Sequence, residues 1–230
     1  MASQRADGLR SAVAIMAKAP RPGKVKTRLC PPLSYEEASE LYRCFLLDKI
    51  AQVNALRKIA LIVSYSPPFS KPLFEDLVPS HCLLVPQRGA DLGARLLSTF
   101  IQLFRQGFEQ VMAVDSDTPT LPNAYLEQAL DLMARPEIDM VLGPTEDGGY
   151  YLIGLRRAHR ALFEEMPWST SHVLPETLRR SEAQGLNVAC TASWFDIDTP
   201  EDLKRLAASL ATAENGQAQY TREFLREYRW

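Results

Sequence analysis

VMAVDSDTPTLP, residues 111–122, is the stretch on which the reading of this chain turns. Val111–Val114 is a short apolar run closed by turn residues, the pattern of a buried strand. Asp115 and Asp117 follow where that strand ends, just before Pro119. Two carboxylates one residue apart at such an edge can lean toward one hard divalent cation, which prefers oxygen ligands. An isolated pair of this kind is more often two solvated turn residues. Here other segments accompany it.

Working outward, strand-length apolar runs alternate with helical patterns. Ala12–Met16, Ile59–Val63, Cys82–Val85, Met140–Leu142, Tyr150–Leu155 and Val188–Ala192 read as further strands. Ser34 with Glu37 forms a capping box ahead of a stripe of Ala38, Leu41, Phe45 and Leu46. Gly93–Arg105 and Tyr125–Met133 read as helices, as does the segment beginning at Pro200. Alternating strands and helices predict an α/β sandwich with a mixed, mostly parallel sheet covered on both faces. No repeat or linker divides the chain, so one domain is expected over residues 1–230, with a core of about 11–211 and a helical tail from 212. Tyr220, Phe224 and Tyr228 make a stripe at a spacing of four, expected to pack on the body, with a homodimer as the other use of that face. Ligands of such sheets bind at the carboxyl ends of the strands, where Asp115 and Asp117 fall.

Composition narrows the function classes. With 230 residues, 46% hydrophobic, 23% charged and a net charge of −2, the chain is globular and has no electrostatic reason to bind nucleic acid. No apolar run reaches the roughly 20 residues of a membrane span, and the opening segment lacks a leader-like apolar core. Cys30, Cys44, Cys82 and Cys190 are scattered without a paired spacing, which points away from zinc and disulfides and toward a cytoplasmic location. His81, His159 and His172 lie in unrelated contexts, and no nucleophile elbow is present.

Three more segments carry chemistry. Lys18 to Arg28 holds five cations around Pro20, Pro22 and Gly23, suited to a phosphate or diphosphate, though it fits neither the P-loop nor the dinucleotide pattern. In GPTEDGGYYLIGL, Gly148-Gly149 permits φ > 0 and a close backbone approach by a ligand, and Asp147 can accept hydrogen bonds; a tight hairpin turn needs the same residues. In FDIDTPEDL, Thr199, Pro200 and Asp202 read as a helix cap, which leaves Asp198 over as a third metal ligand. Gln87 to Gly93 could face a nucleobase, and Trp168 could close over a substrate.

Taken in order, AIMAKAPRPGKVKTRL, VDSDTPTLP, GPTEDGGYYLIGL and FDIDTPEDL resemble the nucleotide-diphospho-sugar transferase superfamily with the GT-A, Rossmann-like fold. Within it, the nearest resemblance is to a bacterial glycosyltransferase-like group, and the opening loop is also similar to that of 2-phospholactate guanylyltransferase-type enzymes. The resemblance implies Mg²⁺ or Mn²⁺ held by Asp115, Asp117 and Asp198. It implies nucleotide contacts from Ala17, Lys18, Gly23, Lys26, Arg28, Gln87, Gly89 and Asp115. Lys26 and Arg28 would neutralise the diphosphate, Asp147 would serve as base, and Asp147, Gly148, Gly149 and Trp168 would face a small-molecule acceptor. The implied activity is glycosyl transfer from a nucleotide-sugar. Nucleotidyl transfer from a triphosphate is the alternative, disfavoured because the opening lacks the glycine-rich sugar-nucleotidyltransferase signature. A nucleotide sensor without turnover is the third reading.

Overall fold

Side chains alternate across the first strand, β1 (Ser11–Lys18), and each set is buried in a different core. Val13, Ile15 and Ala17 pack with Leu46, Ile50 and Val53 of helix α1 (Tyr35–Asn54) and with Leu126, Ala129 and Met133 of α4 (Asn123–Ala134). Ala12 and Ala14 face Leu96, Phe100 and Leu103 of α3 (Leu92–Arg105), and their small side chains let that helix approach. Each buried Leu or Phe contributes about 2 kcal/mol to this sandwich. The computed structural model describes residues 9–212 and 217–228; residues 1–8, 213–216 and 229–230 lie outside the described residues.

The sheet has seven strands in the order β3-β2-β1-β4-β6-β5-β7. Besides β1 these are β2 (Ile59–Ser66), β3 (Leu83–Pro86), β4 (Gln110–Val114), β5 (Met140–Pro144), β6 (Tyr150–Leu155) and β7 (Val188–Cys190). Only β6 runs against its neighbours, so the sheet is mixed and mostly parallel, as the sequence pattern predicted. From β1 the chain winds outward to β2 and β3 and then returns to the other side at β4. The crevice at the carboxyl ends of β1 and β4 is therefore the topological switch point. Ile15 pairs with Val114, which sets Asp115–Asp117 level with Met16–Lys18.

The capping box holds: Ser34 Oγ accepts from Glu37 N, and the Glu37 carboxylate accepts from Ser34 N. Two helices were not legible, α2 (Lys71–Glu75) and α5 (Val173–Ala183). The buried face of α5 is Val173, Thr177 and Ser181, whose hydroxyls donate back to Val173 O and Thr177 O, so it shows little apolar periodicity. A helix α6 (Pro200–Thr212) opens as expected, with the Asp202 carboxylate accepting from Thr199 N and Oγ1. The last helix, α7 (Gln219–Glu227), does pack on the body, through Phe224 and Leu225 with Tyr228 just beyond it, but Tyr220 is 42% exposed and not part of that face. Among the described residues no helix is long and apolar enough to cross a membrane.

Asp48 on α1 caps α7 from outside, accepting from Tyr220 N, Thr221 N and Thr221 Oγ1 at 3.0, 2.9 and 2.6 Å. Asp48→Ala should therefore cost about 2 kcal/mol and free α7 first. Limited proteolysis checks this, with early cleavage in α7 as the expected result and an unchanged digest as the contrary one.

Candidate active site

The basic loop is shaped by what it buries. Val25 and Leu29 sink into a third core between α1 and α6, while Gly23, at φ +69°, makes the turn that precedes them. This orientation turns Lys26 inward: its side chain is only 5% exposed. The Lys26 Nζ donates to Ile197 O at 2.6 Å and Asp198 Oδ1 at 2.9 Å, and lies 2.8 Å from Asp117 Oδ1. Arg28, largely exposed, reaches Asp198 Oδ2 at 3.6 Å. Burial works against the Lys26 charge, but Asp117 and Asp198 outweigh it and hold the ammonium's pKa above its ordinary value. Burial likewise opposes the Asp198 charge, and Lys26 and Arg28 overcome it, so that carboxyl titrates low.

Asp115 belongs to a second, deeper arrangement. Its Oδ1 accepts from Thr118 Oγ1 at 2.7 Å, and Lys49 Nζ donates to Thr118 Oγ1, Thr118 O and Gln52 Oε1. Burial pushes the Asp115 carboxyl up, with Lys49 opposing the shift, and pushes the Lys49 ammonium down, with Asp115 opposing that. Ser116, between the two aspartates, donates to Met16 O and meets the Tyr42 hydroxyl, which in turn accepts from Lys18 N. The loop after β4 is thus stitched to the end of β1.

The donor chemistry fits a hard cation at Asp117 and Asp198. Both carboxylates aim an oxygen at one point, which the Lys26 ammonium now holds, 2.8 Å from the buried Asp117 Oδ1 and 2.9 Å from Asp198 Oδ1. Asp115 is not brought to that point, and among the described residues no three carboxylate, His or Cys ligands converge. Asp115, expected as a ligand with the other two, instead orders the loop.

A cavity of about 370 Å³ opens beside this cluster. Of the residues expected to meet a nucleotide, Ala17, Lys18, Lys26, Arg28, Gln87 and Asp115 border it; Gly23 and Gly89 do not. Gln87 is there to join strands: its Nε2 donates to Ala17 O and Ser64 O. Leu92, within the segment expected to face a nucleobase, also borders the cavity, as do Tyr42 and Arg95, which went unread, since a Tyr in an apolar helical stripe and an Arg on a helix carry no local signal.

The acceptor-side residues lie elsewhere. Asp147 Oδ1 accepts from Thr145 Oγ1 and from Gly149 N, so it holds the β5–β6 turn. Gly148 has φ +90°, as expected, but the close approach it allows is by Ser171 of this chain. Trp168 packs over Gly93 and meets Tyr150 edge-on. Asp196, between Asp147 and Asp198 in the field it feels, has its carboxyl pushed up to about 6, by burial first and then by those two charges.

Residues 49–170 match the family described as "Uncharacterized protein conserved in bacteria (DUF2064)". No curated protein matches the chain. A crystal structure from Desulfovibrio desulfuricans G20, provisionally described as a nucleotide-diphospho-sugar transferase, is 30% identical, with 95% of this chain and 94% of that one covered at a TM-score of 0.86. The CMP:2-keto-3-deoxy-manno-octonic acid synthetase complexed with CTP is 13% identical, covering 88% and 98% at 0.58. A cytidylyltransferase from Leptospira borgpetersenii serovar Hardjo-bovis is 12% identical, covering 95% and 94% at 0.54. The last two share the fold. From the match over residues 49–170 and the near-complete alignment at 30% identity, this chain belongs to the bacterial family DUF2064, within the nucleotide-diphospho-sugar transferase superfamily.

Proposed function

We propose that this chain is a metal-dependent transferase that moves a glycosyl group from a nucleotide-diphospho-sugar to a small-molecule acceptor. The observation that carries this reading is the convergence of Asp117 and Asp198 on one cationic point beside a cavity edged by Lys18, Lys24, Arg28 and Arg95. Carboxylates alone would repel a phosphate, and the outer cations alone would need no acids. Together they suit an anion delivered with a divalent ion. The 30% identical protein described as a nucleotide-diphospho-sugar transferase supports the choice of donor.

Asp117 and Asp198, with Asp115 behind them, would hold Mg²⁺ or Mn²⁺, which when bound supplies stabilisation of the charge on a departing diphosphate. The rim cations would neutralise the phosphate oxygens, and the fixed Asp115–Thr118 turn would spare the site reorganisation during reaction. An acceptor hydroxyl attacks the anomeric carbon, the bond from that carbon to the diphosphate oxygen breaks, and the nucleoside diphosphate leaves with the electron pair. The hydroxyl proton must pass to a base. Asp147, the expected base, spends an oxygen on its own turn. That observation favours one second reading, nucleotidyl transfer, in which an already ionised phosphate attacks the α-phosphorus and pyrophosphate leaves.

A thermal-shift panel of nucleoside triphosphates, diphosphates and diphospho-sugars, with and without Mn²⁺ or Mg²⁺, tests both. A ligand at about 100 times its dissociation constant adds roughly 2.7 kcal/mol. Metal-dependent stabilisation by one sugar nucleotide and its diphosphate is the expected result; a triphosphate alone would select nucleotidyl transfer. Asp117→Ala and Asp198→Ala should each abolish the metal-dependent part while remaining folded. Silence of every nucleotide with either metal would overturn the site.

A further inference from the structure

We infer that the Lys26 ammonium is a resident counter-cation that competes with a divalent ion for Asp117 and Asp198, so that loading the ion requires Lys26 to swing out of the cluster. The inference rests on the proposed metal–nucleotide reading and deepens it.

Position is the first argument. An ammonium has three N–H donors, and here Nζ has three oxygen neighbours: Ile197 O, Asp198 Oδ1 and Asp117 Oδ1. A cation ligated by the same two carboxylate oxygens would need the space and the charge compensation that Nζ now provides. Charge is the second. The two carboxylates are 37% and 41% exposed while the Lys26 side chain is 5% exposed, so the ammonium sits beneath them, walled below by the Phe45 ring at 5.9 Å. Adding a dication while the ammonium stayed in place would put three positive charges on two carboxylates in a poorly solvated spot.

Backbone is the third. Lys26 has φ 47° and ψ 34°, a left-handed conformation that a side chain with Cβ disfavours and that persists only where its surroundings hold it. It stands at the start of the short 3-10 turn Thr27–Leu29, with Val25 and Leu29 anchored in the core on either side. The side-chain contacts are thus part of what holds a strained residue, and their release leaves the anchors intact. The cavity that Lys26 borders is open to receive its side chain, among the same cations that would meet a phosphate.

The test is Mn²⁺ binding without nucleotide, read from the electron-spin-resonance signal of free Mn²⁺, for the wild type, Lys26→Met and Lys26→Gln. Removing a cation should here strengthen metal binding: both variants are expected to bind Mn²⁺ at least about tenfold more tightly, equivalent to about 1.4 kcal/mol. Mn²⁺ should also raise their melting temperatures more than it raises that of the wild type. Circular dichroism confirms the fold of each variant, and Lys26→Gln keeps a polar group at the cluster should Met not fold. Equal or weaker Mn²⁺ binding in the folded variants overturns the inference. If the wild type with a nucleoside diphosphate still binds Mn²⁺ in that case, the inference alone falls. If it does not, the metal reading falls with it.

Discussion

Lys49→Met is expected to lower the melting temperature by about 6–12 °C, corresponding to about 3 kcal/mol at this chain length. Lys49 is 1% exposed, yet its Nζ donates three hydrogen bonds, two of them to Thr118. Met preserves the packing of the stem while leaving Thr118 O and Gln52 Oε1 without that donor and Asp115 without its nearby cation. Asp115 can soften the loss by taking up a proton, since burial already pushes its carboxyl up and Lys49 no longer opposes that shift, which keeps the expected cost at the low end of the range for breaking a buried pair. The variant should lose nucleotide binding as well, because the Thr118–Asp115 bond it loosens shapes the turn bearing Asp117. Thermal melts with and without nucleotide and metal measure both effects. A shift under about 2 °C, less than a full kcal/mol, would show that Lys49 contributes little to that turn.

Gly148→Ala should cost about 3 kcal/mol. Its φ of +90° is strained for any residue with a Cβ, and that Cβ would fall 2.4 Å from Ser171 O, a backbone atom that cannot rotate away. The same shift would break the bond from Leu174 N to Gly148 O and disturb the start of α5. Gly23→Ala is the matched comparison. Its φ is +69°, but nothing lies within 4 Å of the added atom, so only the conformational cost of about 1 kcal/mol is expected. Equal melting temperatures for the two variants would show that the Ser171 approach gives way without cost.

Much of this molecule can be read from short windows of sequence. The strands, the Ser34–Glu37 box and the Thr199–Asp202 cap were legible because strand period, helix period and capping each involve residues within about four positions. Asp117 and Asp198 stood out because each follows a strand and neither is needed by the nearest cap. Asp147, Gly148, Gly149 and Gln87 were noticed too, but the fold uses them in turns and strand-joining bonds. Their local chemistry suits either use, and only their neighbours distinguish the two.

Pattern and charge along the chain were enough to establish the α/β class, the edge at which the carboxylates gather and a basic loop able to face them. The pairings that make a site came from elsewhere. Lys26 meets Asp198 across 172 positions and Lys49 meets Thr118 across 69, contacts for which no local period or spacing leaves a mark. They exist because β4 lies beside β1, because Val25 and Leu29 must be buried and thereby turn Lys26 inward, and because the segment before α6 crosses to the same edge. A buried charge is tolerated only where a partner waits for it, and which partner waits is a property of the assembled sheet.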